Sequence, residues 1–325
     1  MTNSSQRLHC EDSSGARVLV PVLYSFFSLS GTLANLAVIG LVCSSKRLKT
    51  TSNAFIVNGC VADLSLCAFW MPREAVALAR AAPKSSAHQA LAEGLALLWT
   101  TVSLLSHALV ALNRYVLITK APPVYQTIYQ RRNAECMIAV SWAVPLLFLL
   151  PRLLGQRRED GAPTCAGAPG KGVQAPGAYT AILWAATVLV LLYCYFKIFR
   201  KVQSSVKRVS VLGFQAVAQP PCSLPRKEKR LGLHVLCVCC AFVVATAPLV
   251  GVIVFALVTP VAEGLRTAAW LLFCSLFVLD PFLYTCTSEE FRRAFRSAVR
   301  GECGRSSSVS HQEPWPKPSG RGDAA

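Results

Sequence analysis

The chain has 325 residues, 53% of them hydrophobic and only 15% charged, with a formal net charge of +17. A soluble domain usually carries about a quarter charged residues, so a soluble globular protein is a poor fit. A basic excess can mark a nucleic-acid binder, but here the charge follows the arrangement of apolar segments, and no nucleic-acid partner is expected. Residues 1–17 are polar and begin with Asn3-Ser4-Ser5, an N-glycosylation acceptor triplet. They read as an extracellular N-terminus without a cleaved leader, because the first apolar run is long enough to be a span.

Charge-free runs follow at 18–43, 94–113, 172–196 and 231–262. Residues 52–72 contain only Asp63 among charged groups, and 267–288 only Asp280. The run 136–151 is uncharged but short. A helix rises about 1.5 Å per residue and needs about 20 apolar residues to cross the hydrocarbon layer. The seven runs therefore predict an all-α, seven-helix membrane bundle over 18–286, with the fourth span the weakest. The Gly- and Pro-rich stretch 155–176 reads as the second outer loop. Residues 204–228, with Pro220, Pro221 and Pro225, read as the third inner loop. The segment 288–299 sets Phe291 and Phe295 four apart, with Arg292, Arg293 and Arg296 on other faces. This predicts a short amphipathic helix over 287–300 along the inner membrane surface. Residues 301–325 are polar and read as a disordered cytoplasmic tail.

Orientation follows from the basic residues. With the N-terminus outside, the inner segments hold 23 of the 33 Lys and Arg residues. That face meets acidic inner-leaflet lipid and a cytosolic partner, as in a multi-pass plasma-membrane protein. The 14 cysteines are not read as a disulfide scaffold, since most, including Cys60, Cys67, Cys194, Cys237, Cys239 and Cys240, lie within spans as small apolar residues. Only Cys10 and Cys165 fall in outer segments, where a bridge between them is one option.

An ionisable residue at membrane depth is costly and marks function. Asp63 in the second span and Asp280 in the seventh are two such acids, with Asn35 in the first span and Ser103 in the third around them. Asn35, Asp63, Asn113-Arg114-Tyr115, Trp142, Pro248 and Asp280-Pro281-Phe282-Leu283-Tyr284 fall in order on the first, second, third, fourth, sixth and seventh spans. This ordered set resembles the landmarks of rhodopsin-like (class A) G-protein-coupled receptors, and the resemblance covers residues 18–300. It implies that Asp63, Ser103 and Asp280 line a cavity for an allosteric Na+ ion. Two buried carboxylates need a cation or a shared proton, and a protonated, hydrogen-bonded pair is the other reading. No other cofactor is expected.

The resemblance further implies that Arg114 is the inner switch that meets a heterotrimeric G protein. Asn113 stands where the family usually has an acid to neutralise that arginine. Glu228, twenty residues before Pro248, is the remaining acid that could restrain it, or else a solvated residue among Lys227, Lys229 and Arg230. Tyr195 and Tyr284 match the two tyrosines that gather round the arginine in active receptors. His107, seven before Arg114, replaces an apolar residue that seals the inner core. A lone histidine there is usually a satisfied core residue, and on a second reading it also hydrates the barrier between the sodium site and the arginine. With Asn113, the second reading predicts a resting state easily left, and hence ligand-independent activity.

The outer half departs further. The family's third-span cysteine is replaced by Gln89, and Thr246 stands where a tryptophan is usual two residues before Pro248. The switch then falls to Leu104 and Phe242. Ala96 occupies the position of the aspartate that binds amines, while Trp70, Trp99, Trp184 and Trp270 line the upper spans. A lipophilic ligand is expected rather than a monoamine. Within the family, the runs at 50–72, 101–122 and 205–212 resemble an orphan branch enriched in the striatum, which implies neuronal expression and coupling to the inhibitory Gi/o class. Ser210 in a basic context and the serines at 306–310 suit receptor kinases and arrestin, and Cys303 suits palmitoylation. Arg321-Gly322-Asp323 is read as chance. The rival class is a transporter or channel, which inverted repeats or broken helices would mark; neither is visible. No HExxH, GxSxG or P-loop pattern supports an enzyme.

Overall fold

The computed structural model describes residues 3–80, 86–159, 174–215, 224–256, 258–287 and 289–300. Among these residues the secondary structure is entirely helical. The first span is α1 (Asn3–Ser44), followed by a short 3-10 turn at Lys46–Leu48. The second is α2 (Thr51–Ser65), a π-helical turn at Leu66–Trp70, and α3 (Met71–Ala79). The third is α4 (Ser86–Thr119), and a short α5 (Pro122–Ile128) leads to the fourth, α6 (Arg131–Glu159). The fifth is α7 (Gln174–Gln215) and the sixth α8 (Leu224–Phe255). The seventh is split into α9 (Glu263–Cys274) and α10 (Leu276–Thr287), and α11 (Glu289–Val299) follows.

Among the described residues, five helical stretches are long and apolar enough to cross a membrane: Val18–Ser44, Thr51–Ala79, Leu91–Thr119, Ile182–Ser204 and Glu263–Leu283, with a shorter apolar helix at Cys240–Phe255. The fourth span falls short because α6 is charged at both ends, Arg131, Arg132 and Glu135 on one side and Arg152, Arg157 and Arg158 on the other. Its uncharged middle is the short run expected. Val18, Phe26, Leu33, Leu147, Leu189, Phe196, Val244 and Val254 are exposed. Such a belt is costly in water and natural against lipid.

Four helix boundaries differ from those expected. α1 continues through the polar residues back to Asn3, because the apolar run decides what crosses the layer and not where the helix stops. α7 runs to Gln215 and α8 starts at Leu224, well inside the expected third inner loop. Pro225 does not prevent this, since the first turn of a helix has no N–H partner to lose. α6 likewise runs into the expected second outer loop, to Glu159.

Packing is set by small residues. A Cβ on Gly31 would collide with the Cys67 sulfur, so glycine lets α1 meet the π-helical turn closely. At Gly59 an added Cβ would stand 3.3 Å from Ser106 Cβ, tightening α2 against α4. α4 packs against α2, α6 and α7 and forms the hub of the bundle. The π-helical turn, closed by the Met71 N–H to Leu66 O, sits just before Pro72. The widened turn relieves the clash between the proline ring and the preceding carbonyls. An inner core of Val38, Val42, Leu48, Phe55, Ile56 and Val110 also takes in Phe291, which seats α11 on the end of the bundle. Phe295, one turn on, is exposed.

Candidate functional site

The two intramembrane acids meet. Asp63 on α2, Ser103 and His107 on α4, and Asp280 on α10 are all buried. The Ser103 hydroxyl hydrogen-bonds the Asp63 carboxylate. His107 Nε2 stands 2.7 Å from Asp280 Oδ2, an ion-pair distance with an approach skewed from the ideal donor line. Its other nitrogen, Nδ1, lies 2.7 Å from the Ser103 carbonyl one turn back. His107 thereby ties α4 to α10. Its ring turns to a carboxylate on α10, a partner whose position the sequence does not contain.

The frame around these acids is polar and specific. Pro281 has no N–H, so the Phe277 carbonyl one turn earlier loses its helical partner. The Asn35 side-chain amide donates to that carbonyl at 2.9 Å and to Gly31 O at 2.9 Å, pinning α1 to α10. One turn below Asp63, Asn58 donates to Ser106 Oγ at 2.8 Å and Ser141 Oγ at 3.1 Å. It accepts from the Trp142 indole at 2.8 Å. One side chain thus joins α2, α4 and α6. Asn58, Ser106 and Ser141 were missed in the sequence; the only signal was an amide inside an apolar run, beside the landmark Trp142.

At the inner end Asn113 is fully buried and donates through its amide to the Tyr125 hydroxyl at 3.2 Å. It thereby fixes α5 against α4 rather than presenting a charge to Arg114. Arg114 and Tyr115 are half-buried on the last turns of α4. Tyr115 lies 6.2 Å from Tyr193 on α7, ring to ring. Tyr195 is buried in the central core with Ile198 and Val202. Tyr129 closes the same corner, packed on Tyr125 at 5.1 Å and on Phe55 at 6.0 Å. Burial, reinforced by the neighbouring Tyr125 hydroxyl, pushes the Tyr129 hydroxyl up to about 12.

Above the acids, Leu104 and Phe242 share one buried cluster, and Phe242 packs on the His107 ring at 5.8 Å. Thr246 is buried and donates back to Phe242 O at 2.7 Å, a bond that bends helices. Pro248, beside it in α8, faces outward. Towards the outer end Tyr24, Trp70, Trp270, Phe273 and Trp184 form a continuous aromatic stack with ring separations of 5.6–5.7 Å. Ala96 is buried in the same core. Trp99 sits apart from the stack against the exposed Phe69, at 6.4 Å. Where the family's cysteine would be, Gln89 accepts from Arg73 at 2.9 Å and donates to Glu93 at 2.7 Å, linking α3 to α4. Cys165 and Cys303 lie outside the described residues, as do the side chains of Asn3, Cys10, Glu228 and Tyr284. Cys237 and Cys240 are exposed on α8 rather than packed in the core.

Comparison with known proteins decides the family. The pattern described as 7 transmembrane receptor (rhodopsin family) matches residues 34–284. The chain belongs to the rhodopsin family of seven-transmembrane receptors. It is similar to the alpha-1D adrenergic receptor of Mus musculus, at 26% identity over 90% of this chain and 59% of that receptor. It is also similar to somatostatin receptor type 5 of Bos taurus, at 26% over 95% of this chain and 84% of the relative. A third relative is the G-protein coupled receptor moody of Drosophila melanogaster, at 28% over 58% of this chain. The chain spans about 59% of the length of the adrenergic relatives it matches. A receptor family, not an enzyme or transporter family, thus accounts for a multi-pass membrane chain.

The family resemblance assigns a cation to Asp63, Ser103 and Asp280, and these three do converge. They do not fit that ion well. A hard cation takes oxygen ligands, and the Asp280 oxygen that would serve faces the His107 ring instead. Asp63 Oδ1 and Asn35 Oδ1 have no hydrogen-bond partner among the described residues.

Proposed function

We propose that this chain is a cell-surface receptor that activates heterotrimeric G proteins of the Gi/o class, lowers cyclic AMP, and does so appreciably without ligand. The observation that carries the reading is Asn113. A neutral amide, bound to Tyr125, occupies the place beside Arg114 where a carboxylate would otherwise hold the arginine at rest. Coulomb attraction at contact distance is worth several times an exposed hydrogen bond, so its loss favours release. The Gi/o assignment rests on the resemblance to the striatum-enriched orphan branch, as does neuronal expression. The basic inner segments support an N-terminus outside, with α11 lying along anionic lipid by way of Phe295. Phosphorylation of the tail serines would then recruit arrestin.

The ligand side supports a lipophilic agonist. Ala96 offers no charge, and the aromatic stack presents Trp70 Nε1, which is buried and lacks a partner among the described residues. The test is ligand-free expression in cells stimulated to make cyclic AMP. The receptor should lower the signal relative to mock cells, and pertussis toxin should restore it. Equal signals in receptor and mock cells at matched surface expression would refute ligand-independent activity. A fall that survives the toxin would refute the Gi/o assignment.

A further inference from the structure

The convergence of Asp63 and Asp280 places two acids in a water-poor core, where some positive partner is required. The geometry supplies one from the chain itself. His107 Nδ1 faces the Ser103 carbonyl, which can only accept, so that nitrogen carries a hydrogen. Nε2 stands 2.7 Å from Asp280 Oδ2, too close for two bare acceptors, so one of the two carries a hydrogen even though the approach is skewed from the donor line. Whether the ring or the carboxyl holds that hydrogen, the Asp280 oxygen is engaged. Ser103 is likewise engaged, through its hydroxyl to Asp63 and its carbonyl to the ring. The Phe242 ring closes over His107 at 5.8 Å, so the imidazole has little room to swing aside.

We propose that His107 takes the place of the core sodium ion in this receptor, which is therefore insensitive to sodium. Its imidazole bridges α4 and α10 as a built-in equivalent of the ion. Of this core's buried oxygens without a hydrogen bond among the described residues, Asp280 Oδ2 is covered by the imidazole, and Asp63 Oδ1 and Asn35 Oδ1 are too few for a dehydrated cation.

The experiment uses the full chain purified in detergent, with sodium chloride compared against choline chloride at equal ionic strength. An ion that binds only the folded state raises the unfolding midpoint by mass action. The wild type is expected to melt at the same temperature in both salts. His107→Ala, which frees Asp280 and opens space, is expected to gain a saturable sodium-specific rise. His107→Asn, too short to reach Asp280, is the milder variant and is expected to gain the same rise if the alanine form does not survive extraction. A saturable sodium-specific rise in the wild type overturns the proposal. So does a flat response in wild type and variants alike, because His107 would then not be what excludes the ion. The readout needs no G protein, so its outcome is separate from the success or failure of the coupling assignment.

Discussion

The inner and outer halves of the bundle are held by different means. In the inner half, single buried amides each bridge two or three helices: Asn35 to the carbonyl vacated by Pro281, Asn58 to three partners, Asn113 to Tyr125. In the outer half, the aromatic stack from Tyr24 to Trp184 does most of the joining, and the polar link at Gln89 is partly exposed. Directional bonds in a low-dielectric layer define one geometry and one alternative to it. Stacked rings fill space and tolerate change. The contrast suggests a coupling face kept to one design and a ligand face free to drift.

Arg114→Ala tests the inner half most severely. Ligand-free lowering of cyclic AMP should vanish to the mock level at matched surface expression, with the unfolding midpoint nearly unchanged because the residue is only half-buried. A loss of signal accompanied by loss of folded receptor would move Arg114 from switch to scaffold. Asn58→Ala should instead cost stability. It removes two donated bonds and leaves the Trp142 indole unanswered, which together amounts to about 2–4 kcal/mol. A lower midpoint and reduced surface expression would be read by thermal unfolding and flow cytometry. An unchanged midpoint would mean that the amide network is ornamental.

The extent to which these halves could be read beforehand differs for physical reasons. Spans were legible because charge-free length is a local property, and even the weakness of α6 followed from its flanking arginines. The pairing of Asp63 with Asp280 was legible only through the ordered landmarks, since their sequence separation carries no geometry. Asn58 was not legible, as its role depends on hydroxyls placed by two other helices. For His107, the missing fact was its partner on α10, which sequence separation does not place. Ligand-independent activity therefore leans on Asn113 alone, because the His107–Asp280 contact adds a tie to the core rather than loosening it.

A tighter test of the α1 contact is Gly31→Ala. The new Cβ meets the Cys67 sulfur, and overpacking of this kind costs about 1–3 kcal/mol. Adding Cys67→Ala removes the sulfur and should recover part of the loss, since the Cys67 Cβ itself would remain 3.3 Å away. Purely additive losses in the double variant would show that the two helices do not meet as described.

The smallest effect belongs to the outer half. Gln89→Ala breaks the bonds to Arg73 and Glu93 that stand where a disulfide would otherwise clamp α4. Because this link is partly exposed, its loss should cost no more than about 1 kcal/mol of stability, read as a small fall in the unfolding midpoint. A covalent clamp would have been worth several times that, typically about 2–4 kcal/mol, so a large drop on Gln89→Ala would mean that the polar link substitutes energetically for the missing bridge. A small drop with unchanged ligand-free signalling would instead show that the outer ends of α3 and α4 are held by packing such as that of Phe69 on Trp99 beneath them. That outcome would account for how the outer half has shed its usual fasteners while the coupling face kept its geometry.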